Sequence, residues 1–194
     1  MLERLFSFLY RVMRVFRAKF YLLLGQPPFK RRGHSNKIFG WDCIEVGCDV
    51  HIGDGCWIEA VQAYGVQRFR PRIILGDGVA LSDRNHLSAV SMIRIDSGCL
   101  LGSNIYIGDH AHGDISDSAQ SADAPGKRPL GRIADVHIGA NTWLCDGVVI
   151  LPGTQLAPGC VVGANSVVRL SVNRAALIAG NPARVIRFLE ECVL

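Results

Sequence analysis

The chain has 194 residues, enough for one domain with a sizeable core, and 49% of them are hydrophobic against 20% charged, which excludes a disordered polymer. The net charge is only +4, and most of the excess sits in the first 32 residues, so a general nucleic-acid-binding surface is excluded for the remainder. Seven cysteines (43, 48, 56, 99, 145, 160, 192) contain no Cys-x-x-Cys pair and cannot all pair within the chain. They read as thiols of a reduced, cytoplasmic protein that uses cysteine as a small hydrophobe.

The first element, residues 1–35, is an amphipathic helix and its linker. Leu5, Phe6, Leu9, Val12, Met13, Phe16, Phe20 and Leu23 form an apolar stripe, with Arg4, Arg11, Arg14, Arg17 and Lys19 beside it. No stretch approaches the roughly 18 consecutive apolar residues of a membrane span, and no signal-peptide cleavage site follows. Two readings stand for this helix. It caps the first turn of the domain, or it lies on anionic lipid at the inner face of the plasma membrane.

From residue 36 the organisation is a period of six. Val46, Ile52 and Ile58 form one run; Leu75, Leu81 and Leu87 a second; Ile95, Leu101 and Ile107 a third. The step from Leu87 to Ile95 is longer than the period and predicts a bulge, and the segment QAYGVQRFRPR (62–72) blurs the pattern. After residue 138 the period is unbroken: Ile138, Leu144, Ile150, Leu156, Val162, Val168. Thr142, Val148, Thr154, Cys160 and Ser166 follow the first five at a fixed offset of four, all small or β-branched. A helix repeats at 3.6 residues and an ordinary strand at two. Six means a short strand and a turn, with three such units closing one triangular coil. Successive coils stack at the ~4.8 Å spacing of neighbouring strands. The aliphatic residue fills the interior, and the small one lets the corner close.

Between Ile107 and Ile138 the polar text HAHGDISDSAQSADAPGKRPLGR cannot fill a coil, so a loop over about 109–132 leaves the β-helix, with Asp109, His110 and His112 at its root. The β-helix runs to residue 181, and residues 182–194 form a cap containing a short C-terminal helix.

The hexads, the extruded loop opening on IGDHAHGD, the following IGANTWL and the closing AGNPARVIR resemble the hexapeptide-repeat acetyltransferases over about residues 44–188. The loop-root text is closest to the polysaccharide O-acetyltransferases. The resemblance implies a left-handed parallel β-helix, a homotrimer with active sites between adjacent subunits, and acetyl-CoA as co-substrate, with no metal. It implies His110 as the base that takes the proton of an attacking sugar hydroxyl. His112 is assigned to orienting substrate or loop, and Asp109 to fixing the His110 tautomer or simply to turning the chain.

The same correspondence places an oxyanion-binding backbone N–H near Trp143 and Asp146, and Trp143 itself beside the acyl-CoA channel or against a neighbouring subunit. Ala164 leaves room for pantetheine. Arg184 and Arg187 hold nucleotide phosphates, or form a solvated basic face on the cap. Arg169 stands beside the position where sugar acetyltransferases commonly carry a lysine. Asp83, Asn85 and His86 line an acceptor ridge, with a structural corner ladder as the alternative. His86 is matched there with Asn104.

The expected activity is therefore acetyl transfer to a hydroxyl of a surface polysaccharide or its precursor. Three other readings stay open: an N-acetyltransferase on the same fold, a γ-class carbonic anhydrase-like metal enzyme, and a non-catalytic β-helix scaffold.

Overall fold

The computed structural model describes residues 29–114, 117 and 123–190. The N-terminal helix reading, and the end of the chain from residue 191, lie outside the described residues. Within them the chain is almost entirely strand and turn, with only two short 3-10 turns, Trp41–Cys43 and Pro125–Lys127. Among the described residues no helix is long and apolar enough to cross a membrane.

Three parallel sheets form the sides of a triangular coil. The first face stacks the strands Arg31–Arg32, His51–Ile52, Ala80–Leu81, Leu100–Leu101, Trp143–Leu144, Val161–Val162, Ala176–Gly180 and Ala183–Phe188. The second stacks Lys37–Phe39, Trp57–Ala60, His86–Ala89, Tyr106–Gly108, Val149–Ile150 and Val167–Val168. The third stacks Ile44–Val46, Arg72–Leu75, Met92–Ile95, Val136–Ile138, Gln155–Leu156 and Ser171–Val172. The chain visits first, second and third face in turn, so every pairing except the final one on these faces is a parallel pairing between successive coils.

The period of six is the cause. Ile52, Leu81, Leu101, Leu144 and Val162 point inward from the first face, and Ile58, Leu87, Ile107, Ile150 and Val168 from the second. Leu75, Ile95, Ile138 and Leu156 do so from the third, and all these side chains are no more than 3% exposed. Val46, at the start of the pattern, is the one predicted core aliphatic that is only partly buried. The small residues occupy the corners. Thr154 Oγ1 donates to the carbonyls of Leu151 and Val168, and Ser166 Oγ to that of Gly163, so these corner hydroxyls are satisfied inside the coil. The six described cysteines are free, and three of them, Cys56, Cys99 and Cys160, are buried corner residues. Burial pushes the Cys99 thiol up to about 11, so it behaves as a small hydrophobe.

Two boundaries differ from those the sequence suggests. The β-helix already includes Arg31–Arg32, paired with His51–Ile52, ahead of residue 36. At the other end the expected C-terminal helix is absent among the described residues: Ala183–Phe188 is a strand running antiparallel to Ala176–Gly180. The physical reason is the open sheet edge. After the last coil the first face would expose a row of unpaired backbone groups, and a strand folding back satisfies them where a helix could not.

Candidate active site at the irregular corner

Every departure from the regular period leaves the coil at one corner, between the second and third faces. Segment 62–72 forms a small antiparallel hairpin, Ala63–Tyr64 against Gln67–Arg68, turning at Gly65 with φ 55°. The long step after Leu87 places Val90 and Ser91 at the same corner, and the extruded loop departs and returns there.

These irregularities build one constellation. Asp109 is fully buried, and its carboxylate accepts from the backbone N–H of Val90 (2.9 and 3.1 Å) and of Ser91 (2.7 Å). Its Oδ1 lies 2.8 Å from Nδ1 of His110, whose side chain is only 8% exposed. A carboxylate already accepting from N–H groups offers Nδ1 an acceptor, so Nδ1 carries the ring proton and Nε2 presents a lone pair. The loop's return is pinned to the same residue, because Ala134 N–H donates to the Asp109 carbonyl at 2.9 Å. The Asp109 carboxylate thus faces the His110 ring as well as the two backbone N–H groups. The bulge after Leu87 is what makes it possible, by turning two consecutive N–H groups toward one carboxylate.

His112 sits away from that pair, on the strand Ala111–His112 that lies antiparallel to Leu130–Gly131. Its Nδ1 is 3.2 Å from the Tyr64 hydroxyl, which itself donates to the Gly126 carbonyl at 2.6 Å. The amide of Gln67 bonds both backbone groups of Leu130, at 3.0 and 2.7 Å. The hairpin thus braces the loop root, and His112 belongs to the brace. Tyr64 and Gln67 carried a usable signal: alternation on either side of a Gly-containing two-residue turn is a hairpin pattern.

Asp83, Asn85, Asp146 and Ala164 occupy a different corner, between the first and second faces. Asp83 Oδ1 accepts from Asp54 N–H (2.8 Å), and Asp146 Oδ1 from Ser103 N–H (2.5 Å). Asn85 is fully buried, donating to the Ser82 carbonyl and accepting from Ile105 N–H at 2.9 Å. These three side chains tie one coil to the next. The expected ridge of Asp83, Asn85 and His86 therefore splits, and only His86 projects from a face. Its register partner is Tyr106, not Asn104, because Val90 and Ser91 lengthen that coil.

Trp143, 48% exposed, stands on the outside of the first face. Its rung continues through Val161 and Leu177 to Arg187, so the tryptophan and that arginine share one row. Arg184 pairs with Ala179 two rungs along, and Ala164 is exposed at the adjoining corner. Arg169 follows the strand Val167–Val168 on the second face. Within one chain Trp143, Arg184 and Arg187 stand on the first face and Ala164 at its corner with the second, and a whole face separates them from His110.

His86 stacks on Trp57 and meets Tyr106 edge-on. Burial, and after it the His110 charge, lowers its pKa below the ordinary histidine value. Burial, and after it the Asp109 charge, raises that of the Tyr106 phenol. Among the described residues no three His, Cys, Asp or Glu side chains come together in a group able to hold a metal.

The bacterial transferase hexapeptide family (six repeats) matches residues 135–169. The chain is 38% identical over 117 residues to the putative lipopolysaccharide biosynthesis O-acetyl transferase WbbJ of Escherichia coli K12, covering 59% of this chain and 60% of that protein. It spans less than two thirds of the length of the first curated relatives it matches. In fold it is similar to an N-acyltransferase, AntD, of Bacillus cereus, crystallised with dTDP-4-amino-4,6-dideoxyglucose and coenzyme A (TM-score 0.65, 18% identity, 84% of this chain and 86% of that one). It is also similar to a hexapeptide-repeat acetyltransferase of Vibrio cholerae crystallised with acetyl coenzyme A (TM-score 0.52, 23% identity, 84% and 73%).

Proposed function

For a chain that carries the bacterial transferase hexapeptide repeat and resembles the hexapeptide-repeat acetyltransferases in sequence and in fold, we propose acetyl transfer from acetyl-CoA to a saccharide hydroxyl, with His110 as general base. The observation that carries it is the Asp109–His110 pair. With Nδ1 engaged by a buried carboxylate, Nε2 is left to receive the hydroxyl proton as that oxygen attacks the thioester carbonyl. Asp109 then stabilises the imidazolium, and the imidazolium returns the proton to the departing thiolate. The products are the acetyl ester and the free thiol. A backbone N–H near Trp143 and Asp146 serves the oxyanion. Arg184 and Arg187 meet the nucleotide phosphates, Arg169 adds a third cation, and Ala164 leaves space for the pantetheine arm.

This reading needs a second copy of the chain. His110 and the Trp143–Arg187 row lie on different sides of one coil, so a cleft between two copies is what would bring them together. The likeness to the family supports a trimer and a left-handed winding. The surface-polysaccharide acceptor is supported by the IGDHAHGD text and the similarity to WbbJ. A second reading, transfer to the amine of a sugar nucleotide, is favoured by the likeness to the Bacillus cereus protein, and the base would act identically.

The test is His110→Ala. Acetyl-CoA binding by calorimetry is expected to match wild type while kcat falls about 10²–10⁴-fold. Undiminished turnover would overturn the mechanism. Assay with methyl glycosides against amino sugars separates hydroxyl from amine transfer.

A further inference from the structure

Beside His110, the second face carries a row of rings with an unused nitrogen at its middle. Trp57, His86 and Tyr106 are register partners on three successive coils. The His86 ring lies on Trp57 with centroids 4.4 Å apart and planes at 13°, and meets Tyr106 edge-on at 5.3 Å and 69°. Lys37 Nζ, 5.5 Å from the Trp57 ring centre, extends the row. Trp57 is 38% exposed, so the row opens to the surface at that end.

At the other end the row reaches the reactive pair. Side chains alternate along a strand, so Tyr106 and Gly108 point to the same side, with His110 two residues further on. Gly108 has no side chain, and the Tyr106 hydroxyl takes its place: a Cβ at 108 would collide with that oxygen. The phenol is thereby laid along the strand toward Asp109.

His86 Nε2 is shielded from solvent, and it is the buried side-chain polar atom left without a hydrogen-bond partner among the described residues. A buried polar atom that nothing satisfies is destabilising, which points to a ligand group as the missing partner. The ligand's chemistry follows from the state of the ring. Burial favours the neutral imidazole, which offers one lone pair or one N–H. A hydroxyl both donates and accepts and fits either tautomer, whereas a phosphate or carboxylate can only accept and fits the Nε2–H form alone.

We infer that His86 Nε2 holds a second hydroxyl of the acceptor sugar, with the Trp57–Tyr106 row as the wall against which the ring packs, and that this contact selects the hydroxyl presented to His110. The inference rests on the acyl-transfer reading. Its energetic logic is that a site built to bond a hydroxyl rejects an analogue lacking it, because the buried partner is then left bare.

The test uses the full chain, acetyl-CoA, and methyl glycosides of glucose, galactose, mannose and rhamnose with their monodeoxy derivatives, followed by thiol release. His86→Phe keeps the stacked ring and removes the nitrogen; His86→Asn keeps a polar group and removes the stack. For the glycoside used best, His86→Phe is expected to lower kcat/KM at least tenfold, chiefly through KM, and His86→Asn to recover part of that loss. One monodeoxy derivative should suffer the same loss with wild type and no further loss with His86→Phe. A purely structural role gives the reverse order, with Phe near wild type and Asn impaired, and overturns the inference while leaving acyl transfer standing. If wild type transfers acetyl to none of the glycosides, the hydroxyl-acceptor reading falls and the inference with it.

Discussion

Single residues at this surface separate into those that hold the coil and those left with unspent chemistry. Asn85 belongs to the first kind, with its amide committed on both sides of a buried corner. Asn85→Ala would leave the Ile105 N–H without an acceptor and is expected to cost about 1–3 kcal/mol in urea unfolding. Turnover per folded molecule should stay near wild type; a selective rise in KM for the acceptor would instead return Asn85 to the site. His86 belongs to the second kind. Its folded pKa lies below the ordinary 6.5, so the unfolded chain takes up the proton first as pH falls. His86 therefore contributes stability that is present above that value and lost as pH falls through the lowered folded pKa. Between about pH 8 and about pH 5 the Tm of wild type should drop more than that of His86→Phe. Equal drops would refute it.

Among the elements, the hairpin over 63–68 is the one whose purpose lies outside the β-helix. It holds the loop root through Gln67 on both backbone groups of Leu130 and through Tyr64 on Gly126. Removing that amide with Gln67→Ala costs about 1–1.5 kcal/mol of local closure. Hydrogen exchange at the Leu130 N–H is then expected to accelerate about tenfold, with exchange at Ile138 unchanged. Unaltered exchange at Leu130 would show that the loop root holds without the brace. The hairpin was only half legible in advance. In the sequence its residues disturb the period, but a disturbance says nothing about where the displaced chain goes. That depended on the loop leaving from the same corner on a later coil.

On the scale of the whole molecule, several large apolar side chains face outward from the coil. Phe39, Trp57, Leu100, Trp143, Ile186 and Phe188 are all large, apolar and more than a third exposed. Together with the split of Trp143 and Arg187 from His110, this argues for copies packed side by side. Sedimentation equilibrium is expected to give three times the 21.2 kDa of one chain, and Trp143→Arg to shift that mass downward. A monomeric wild type with full acetyl transfer would remove the inter-subunit cleft from the mechanism.

The six-residue period determined the β-helix by itself, because an inward aliphatic and a small corner residue are local demands repeated along the chain. Ile138 through Val168 show it without a break. The His motif at the loop root was equally plain as text. Only the tertiary structure decided what surrounds it. The Val90 and Ser91 N–H groups reach Asp109 from the preceding coil, His86 meets Tyr106 across strands, and the final edge is closed by a strand rather than a helix. Each of these depends on which residues of different coils fall opposite one another. Insertions of unequal length set that register, and no single segment contains it.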